Sequence, residues 1–172
     1  DGTDLNVRKT QANQILRTLL RFTLPNGSGK ITKVAVWLKS KTDLSDNSSM
    51  NIYPMIQTEW TEAGATWNKY DGTNNWATAG MGAGTDYTDT TIKGFTPNAA
   101  GEWTEIDILG GDSTNPLTLN WGSIVDVMIR GHETSVNWDT GKIFYSKEND
   151  AANRPYLEIT YEPYSAFLLN FL

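Results

Sequence analysis

The sequence predicts an all-β fold: a single antiparallel, jelly-roll-like β-sandwich with long end loops. Three observations point to it. Apolar residues recur with a period of two along several runs, the mark of half-buried strands. No stretch carries helix signals at both of its ends. Two long loops rich in Gly, Thr, Asn or Pro, 71–89 and 110–120, interrupt the runs.

A short strand is expected at 5–8. In the run 16–24, Leu16, Leu20, Phe22 and Leu24 share one face, and Arg17, Arg21 and Thr23 share the other. Ile15, Thr18 and this alternation favour strand over helix across 10–19. In 31–39, Val34, Val36 and Leu38 take one face, with Ala35 and Trp37 opposite. The segment Pro25-Asn26-Gly27-Ser28-Gly29 reads as a turn, so these two runs are expected to form a hairpin with a slightly long loop. Further strands are expected at 51–57, 91–95, 101–108, 124–130, 142–146 and 156–161. A loop as long as 71–89, holding Trp76 and Tyr87, is functional or held by its own aromatics.

The chain of 172 residues suits one domain, a sandwich over 1–161 followed by an apolar tail over 162–172. A net charge of −6, with 14 scattered Lys and Arg, argues against nucleic acid and anionic membranes as partners. The absence of cysteine removes disulfides, thiol catalysis and zinc–thiolate sites. No apolar run approaches the roughly 20 residues of a bilayer span, so membrane insertion is not expected.

Three segments carry a family likeness: Leu19 to Pro25 with Ile31 to Leu38; Trp60-Thr61-Glu62-Ala63-Gly64-Ala65-Thr66-Trp67-Asn68; and Phe144 to Glu148 with Asn153 to Tyr161. In that order and spacing they resemble the DNRLRE domain, a jelly-roll-like sandwich related to a family of carbohydrate-binding modules. The family pattern is an R-F-D-L strand, an I-x-x-A-x-L-x-L strand, a W-x-E-x-x-x-T-W turn, and F-x-S-x-E followed by R-P-x-L-x-V-x-Y. The resemblance implies a domain of the kind that accompanies polysaccharide-degrading enzymes and adhesins, and that also occurs in bacteriophage structural proteins. Two departures stand out. The family's opening strand is expected to be missing before Asp4, and the apolar tail lies beyond its last strand.

Several side chains are candidates for chemistry. Strand alternation turns Trp37 away from the core, and sets Trp103 on one face with Glu105 and Asp107. An outward indole flanked by carboxylates suits a pyranose, whose C–H face packs on the ring while its hydroxyls donate to the acids; cover by a loop or neighbouring subunit is the alternative. Trp76 and Tyr87 in the long loop are further candidates for sugar contact. Trp60, Glu62, Thr66 and Trp67 are expected to define the fold: the rings plug one end of the sandwich, and Glu62 and Thr66 bond loop amides. Glu148 and Arg154 are expected to clamp the closing loop as an ion pair.

No catalytic residue, resident metal or cofactor is implied. Asp43, Asp46 and Asn47, or Asp112 and Asn115, are oxygen-only sets that could hold a structural calcium, but neither matches a D-x-D-x-D-G loop. His132 stands without a triad or metal cluster, and Glu148 lacks a second carboxylate for glycoside hydrolysis.

Two functions remain. One is a non-catalytic carbohydrate-binding or adhesion module, extracellular or on a virion surface, whose partner is a polysaccharide or cell-surface glycan. The net acidic charge counts against uronic-acid polymers unless calcium or a local basic patch intervenes. The other is a structural subunit of a virion or filament, assembled on neighbouring subunits through Tyr164, Phe167, Leu168, Leu169, Phe171 and Leu172 of the tail.

Overall fold

A computed structural model describes residues 4–10, 14–44, 49–110, 114, 116–131, 133 and 140–164. Among them the chain forms two packed antiparallel sheets. The six-stranded sheet runs β10 (Tyr156–Glu162), β4 (Lys30–Asp43), β9 (Thr140–Tyr145), β1 (Asp4–Lys9) and β2 (Ile15–Leu16), with β7 (Trp103–Asp107) also paired to β4. The four-stranded sheet runs β3 (Thr18–Thr23), β8 (Ile124–Arg130), β5 (Met50–Pro54) and β6 (Lys93–Phe95).

The period-two pattern explains how the sheets meet. Val7, Val34, Val36, Leu38, Ile106 and Phe144 point inward from the first sheet and are fully buried. Ile52, Val125, Val127 and Ile129 meet them from the second, joined by Leu24 just beyond the end of β3. Each such side chain contributes about 1.5–3 kcal/mol on leaving water. The all-β antiparallel sandwich therefore stands as the sequence predicts.

Two local expectations change. The run 16–24 is not one strand but two, because β2 pairs with β1 whereas β3 crosses to β8 in the other sheet. Nor do the runs before and after Gly27 form a hairpin. β3 and β4 belong to different sheets, and the turn between them carries the chain from one layer to the other. The indole of Trp121 packs onto that turn, where a Cβ on Gly27 would lie 2.5 Å from the ring, and donates from Nε1 to the Gly29 carbonyl at 2.9 Å. The glycine is needed for this close approach rather than for a hairpin.

The long connection from β5 to β6 folds back over the outer face of the four-stranded sheet and builds a second core. Met55, Trp60, Trp76, Met81 and Tyr87 cover the outward Met128 of β8, with Leu19 and Tyr53 packed beside them. Asp86, 4% exposed, stitches this loop together by accepting from the amides of Ala77 and Gly82. No helix among the described residues is long and apolar enough to cross a membrane.

Candidate functional site

On the outer face of the six-stranded sheet, β4 lies between β10 and β7. Pairing of Trp37 with Tyr156 and of Lys39 with Trp103 places three aromatic residues together. Trp37 and Tyr156 stack with centroids 5.9 Å apart and planes 9° apart. Trp103 meets Tyr156 edge-on at 5.1 Å. Tyr156, at the centre, is 44% exposed, and the two indoles are half-buried.

Polar groups frame the rings. Trp37 donates from Nε1 to Glu158 at 2.9 Å, and Glu105 pairs with Lys33. The hydrogen bond that the Lys33 amine donates to Glu105 holds its pKa above the ordinary lysine value. Lys39 lies 5.7 Å from the Trp103 centroid and donates to Asn153 at 2.9 Å. The face thus offers ring surface beside donors and acceptors that neighbours hold in place.

The sequence placed Trp37, Trp103 and Glu105 here, and the structure brings these three together. Asp107 shares the strand but not the role. It is 4% exposed, and its Oδ1 accepts from the amides of Leu109 and Gly110, closing the turn after β7. Trp76 and Tyr87, 4% and 3% exposed, pack into the second core rather than this face, and Trp76 also lines the cleft beside Trp67. The long loop is held by its own aromatics, since it needs apolar contacts to stay on the sheet. Tyr156 lies outside the candidates expected from sequence, yet alternation points to it: Leu157 and Ile159 point inward, which turns Tyr156 and Glu158 outward.

The expected fold motif divides. Trp60 is 7% exposed, donates to Asp126 at 3.1 Å and lies under the Arg21 guanidinium, 4.7 Å from its ring centroid. Thr66 accepts from the Lys69 amide at 3.1 Å, in keeping with a role in the loop. Glu62, by contrast, reaches Lys147 at 2.6 Å rather than a loop amide, and Trp67 remains 43% exposed instead of plugging the sandwich. Glu148 and Arg154 do not pair. Glu148 lies 3.6 Å from Lys147, while Arg154 donates to the Asn149 carbonyl at 2.7 Å and closes its loop that way.

Among the described residues no cluster of three or more His, Asp or Glu could hold a metal ion. Asp43 of the calcium set is engaged by Lys142 and by the Ala100 amide. Asp46, Asn47, Asp112, Asn115 and His132 lie outside the described residues, as do Phe167, Leu168, Leu169, Phe171 and Leu172 of the tail. Tyr164, the described member of that tail set, is 76% exposed.

In comparisons with known proteins, the sequence pattern of carbohydrate-binding module family 96 matches residues 1–161. No curated protein matches the chain.

Proposed function

The chain belongs to carbohydrate-binding module family 96, and on that premise we propose that it binds the interior of a polysaccharide chain on the Trp37–Tyr156–Trp103 face as a non-catalytic module. The carrying observation is that three rings from three adjacent strands share one outward face. A polymer running across an open sheet face meets no end walls, so successive sugar units can pack their C–H faces on the exposed ring surface. Glu105, Glu158 and Lys39 are placed to exchange hydrogen bonds with ring hydroxyls, in the mixed apolar and polar manner of small-ligand sites.

Nothing about this face calls for bond-breaking chemistry. Glu158 accepts from the Trp37 indole and Glu105 from Lys33, and each carboxylate keeps lone pairs for a sugar hydroxyl. A surface-exposed or secreted location, where polysaccharide is met, fits this reading. Retention on polysaccharide-loaded gels is the test. The wild-type chain is expected to be retarded, and Tyr156→Ala to migrate faster while keeping its fold.

A second reading, assembly on neighbouring subunits of a virion or filament, rests on the 76% exposure of Tyr164 at the start of the apolar tail. It is tested by light scattering on the chain with and without residues 164–172. A tail-dependent oligomer supports it, and a monomer in both removes it.

A further inference from the structure

On the other side of the sandwich, a cleft of about 760 Å³ opens between the edge formed by β2 and β3 and the loop that follows β5. Its volume lies within the roughly 300–1,000 Å³ of ordinary small-ligand sites. Leu19, one of its lining residues, alternates with the core residue Leu20, so the cleft belongs to the outer face of the four-stranded sheet. It is therefore separate from the Trp37 face, which lies on the opposite sheet.

Trp67 forms part of the wall, and its position is fixed from below. Gly80 has φ +80°, and a Cβ there would lie 2.3 Å from Cζ2, 2.5 Å from Cη2 and 2.7 Å from Cε2 of the indole. Those three distances place the glycine against a face of the six-membered ring. The guanidinium of Arg17 reaches over the same indole at 5.5 Å from its centroid. With these contacts made, Trp67 still leaves 43% of its surface open. A large aromatic seated on backbone, with a free side toward a cleft, is rigid ring surface available to a ligand.

The charges around the cleft are already answered within the protein. Arg17 makes a two-pronged contact with Glu133 at 2.6 and 2.8 Å and donates to the carbonyls of Gly80 and Met81. Glu62 at the rim is paired with Lys147. The remaining polar side chains on the wall, Gln14 and Thr66, are neutral. Among the described residues an anionic ligand finds no unanswered cation on this wall, whereas an uncharged ligand with hydroxyls finds indoles, an amide and a hydroxyl.

We infer that this cleft is a second carbohydrate site, accepting the end of a short, uncharged oligosaccharide stacked on Trp67. The inference rests on the carbohydrate reading above and adds to it a site of different shape: the open face takes a chain's interior, and the bounded cleft takes its end.

The test is fluorine NMR on the full chain carrying 5-fluorotryptophan, with the Trp37 and Trp67 resonances assigned through Trp37→Phe and Trp67→Phe. The probes are neutral hexasaccharides of glucose, mannose and xylose. The expected result is that at least one probe moves the Trp67 resonance on its own saturation curve, and that Gln14→Ala weakens that curve several-fold without changing the one read at Trp37. Long-chain gel retention of Trp67→Ala is expected to stay within about twofold of wild type. A Trp67 resonance that stays fixed while Trp37 responds overturns the second site alone. If neither resonance moves and no polysaccharide retards the protein, the carbohydrate reading itself has failed.

Discussion

Trp37 and Tyr156 are direct partners across the β4–β10 ladder, and their rings lie parallel, 5.9 Å apart between centroids. Each ring therefore limits the other's freedom to turn, and the pair is preorganised before any ligand arrives. Less side-chain entropy is then lost on binding than with isolated exposed rings. The indole is fixed further by its hydrogen bond to Glu158.

Gly80→Ala is expected to destabilise the chain by about 1–2 kcal/mol from the left-handed backbone alone, and the clash with Trp67 adds to this. Thermal melting reads the loss, and the emission of Trp67 reads the displaced ring. A melt and spectrum unchanged from wild type contradict the close seating of the indole.

Asp126 gathers three contacts on one nearly buried carboxylate. Arg21 donates from Nε and Nη2 at 2.6 and 3.1 Å, and Trp60 donates from Nε1 at 3.1 Å. Asp126→Asn keeps the shape but removes the charge, and is expected to lower stability by about 2 kcal/mol, the scale of a hydrogen bond to a charged group. Urea unfolding measures it. Because Arg21 also reaches the carbonyls of Thr58 and Trp60, the loop over the second core should open first and show faster amide exchange than the main core.

Lys142 is 1% exposed and is paired with the half-exposed Asp43. The hydrogen bond from Lys142, with help from the Ala100 amide, holds the Asp43 carboxyl below the usual aspartate value. The folded chain thus binds this proton less readily than the unfolded one. The stabilisation is complete above the ordinary aspartate pKa of about 4 and is lost as pH falls through the lower folded value. The melting temperature is expected to hold down to about pH 5 and to fall below about pH 4. Asp43→Asn should melt lower at neutral pH, because a buried amine loses its counter-charge, and should show a shallower acid limb. Asp71, also held low by hydrogen bonds from Asn74, keeps that limb from vanishing. An acid limb identical to wild type contradicts the pairing.

Alternation alone located most of this molecule. Val34, Val36 and Leu38 declared the inner face of β4, and with it the outward direction of Trp37. The same logic reached Trp103 and Glu105, and applied to Leu157 and Ile159 it reaches Tyr156. What alternation does not encode is which sheet a strand joins, because β3 and β4 show identical periodicity and yet lie in different layers. Nor does it tell a loop aromatic that faces solvent from one that serves a local core. Trp67 and Trp76 stand nine positions apart in similar surroundings, and the first is 43% exposed while the second is 4% exposed. Non-local contacts decide between them: Trp67 meets Gly80 and Arg17, and Trp76 packs into the cluster that covers Met128.

The most direct test of the binding face is affinity electrophoresis through gels loaded with long-chain polysaccharides, comparing wild type with Trp37→Ala, Tyr156→Ala and the double variant. Near-ultraviolet circular dichroism confirms that each still folds. At a central aromatic contact, each truncation is expected to weaken binding by about 2 kcal/mol, roughly 30-fold, and the double variant is expected to migrate as it does in a polysaccharide-free gel. A folded double variant retarded as strongly as wild type would contradict the account and remove the glycan from this face.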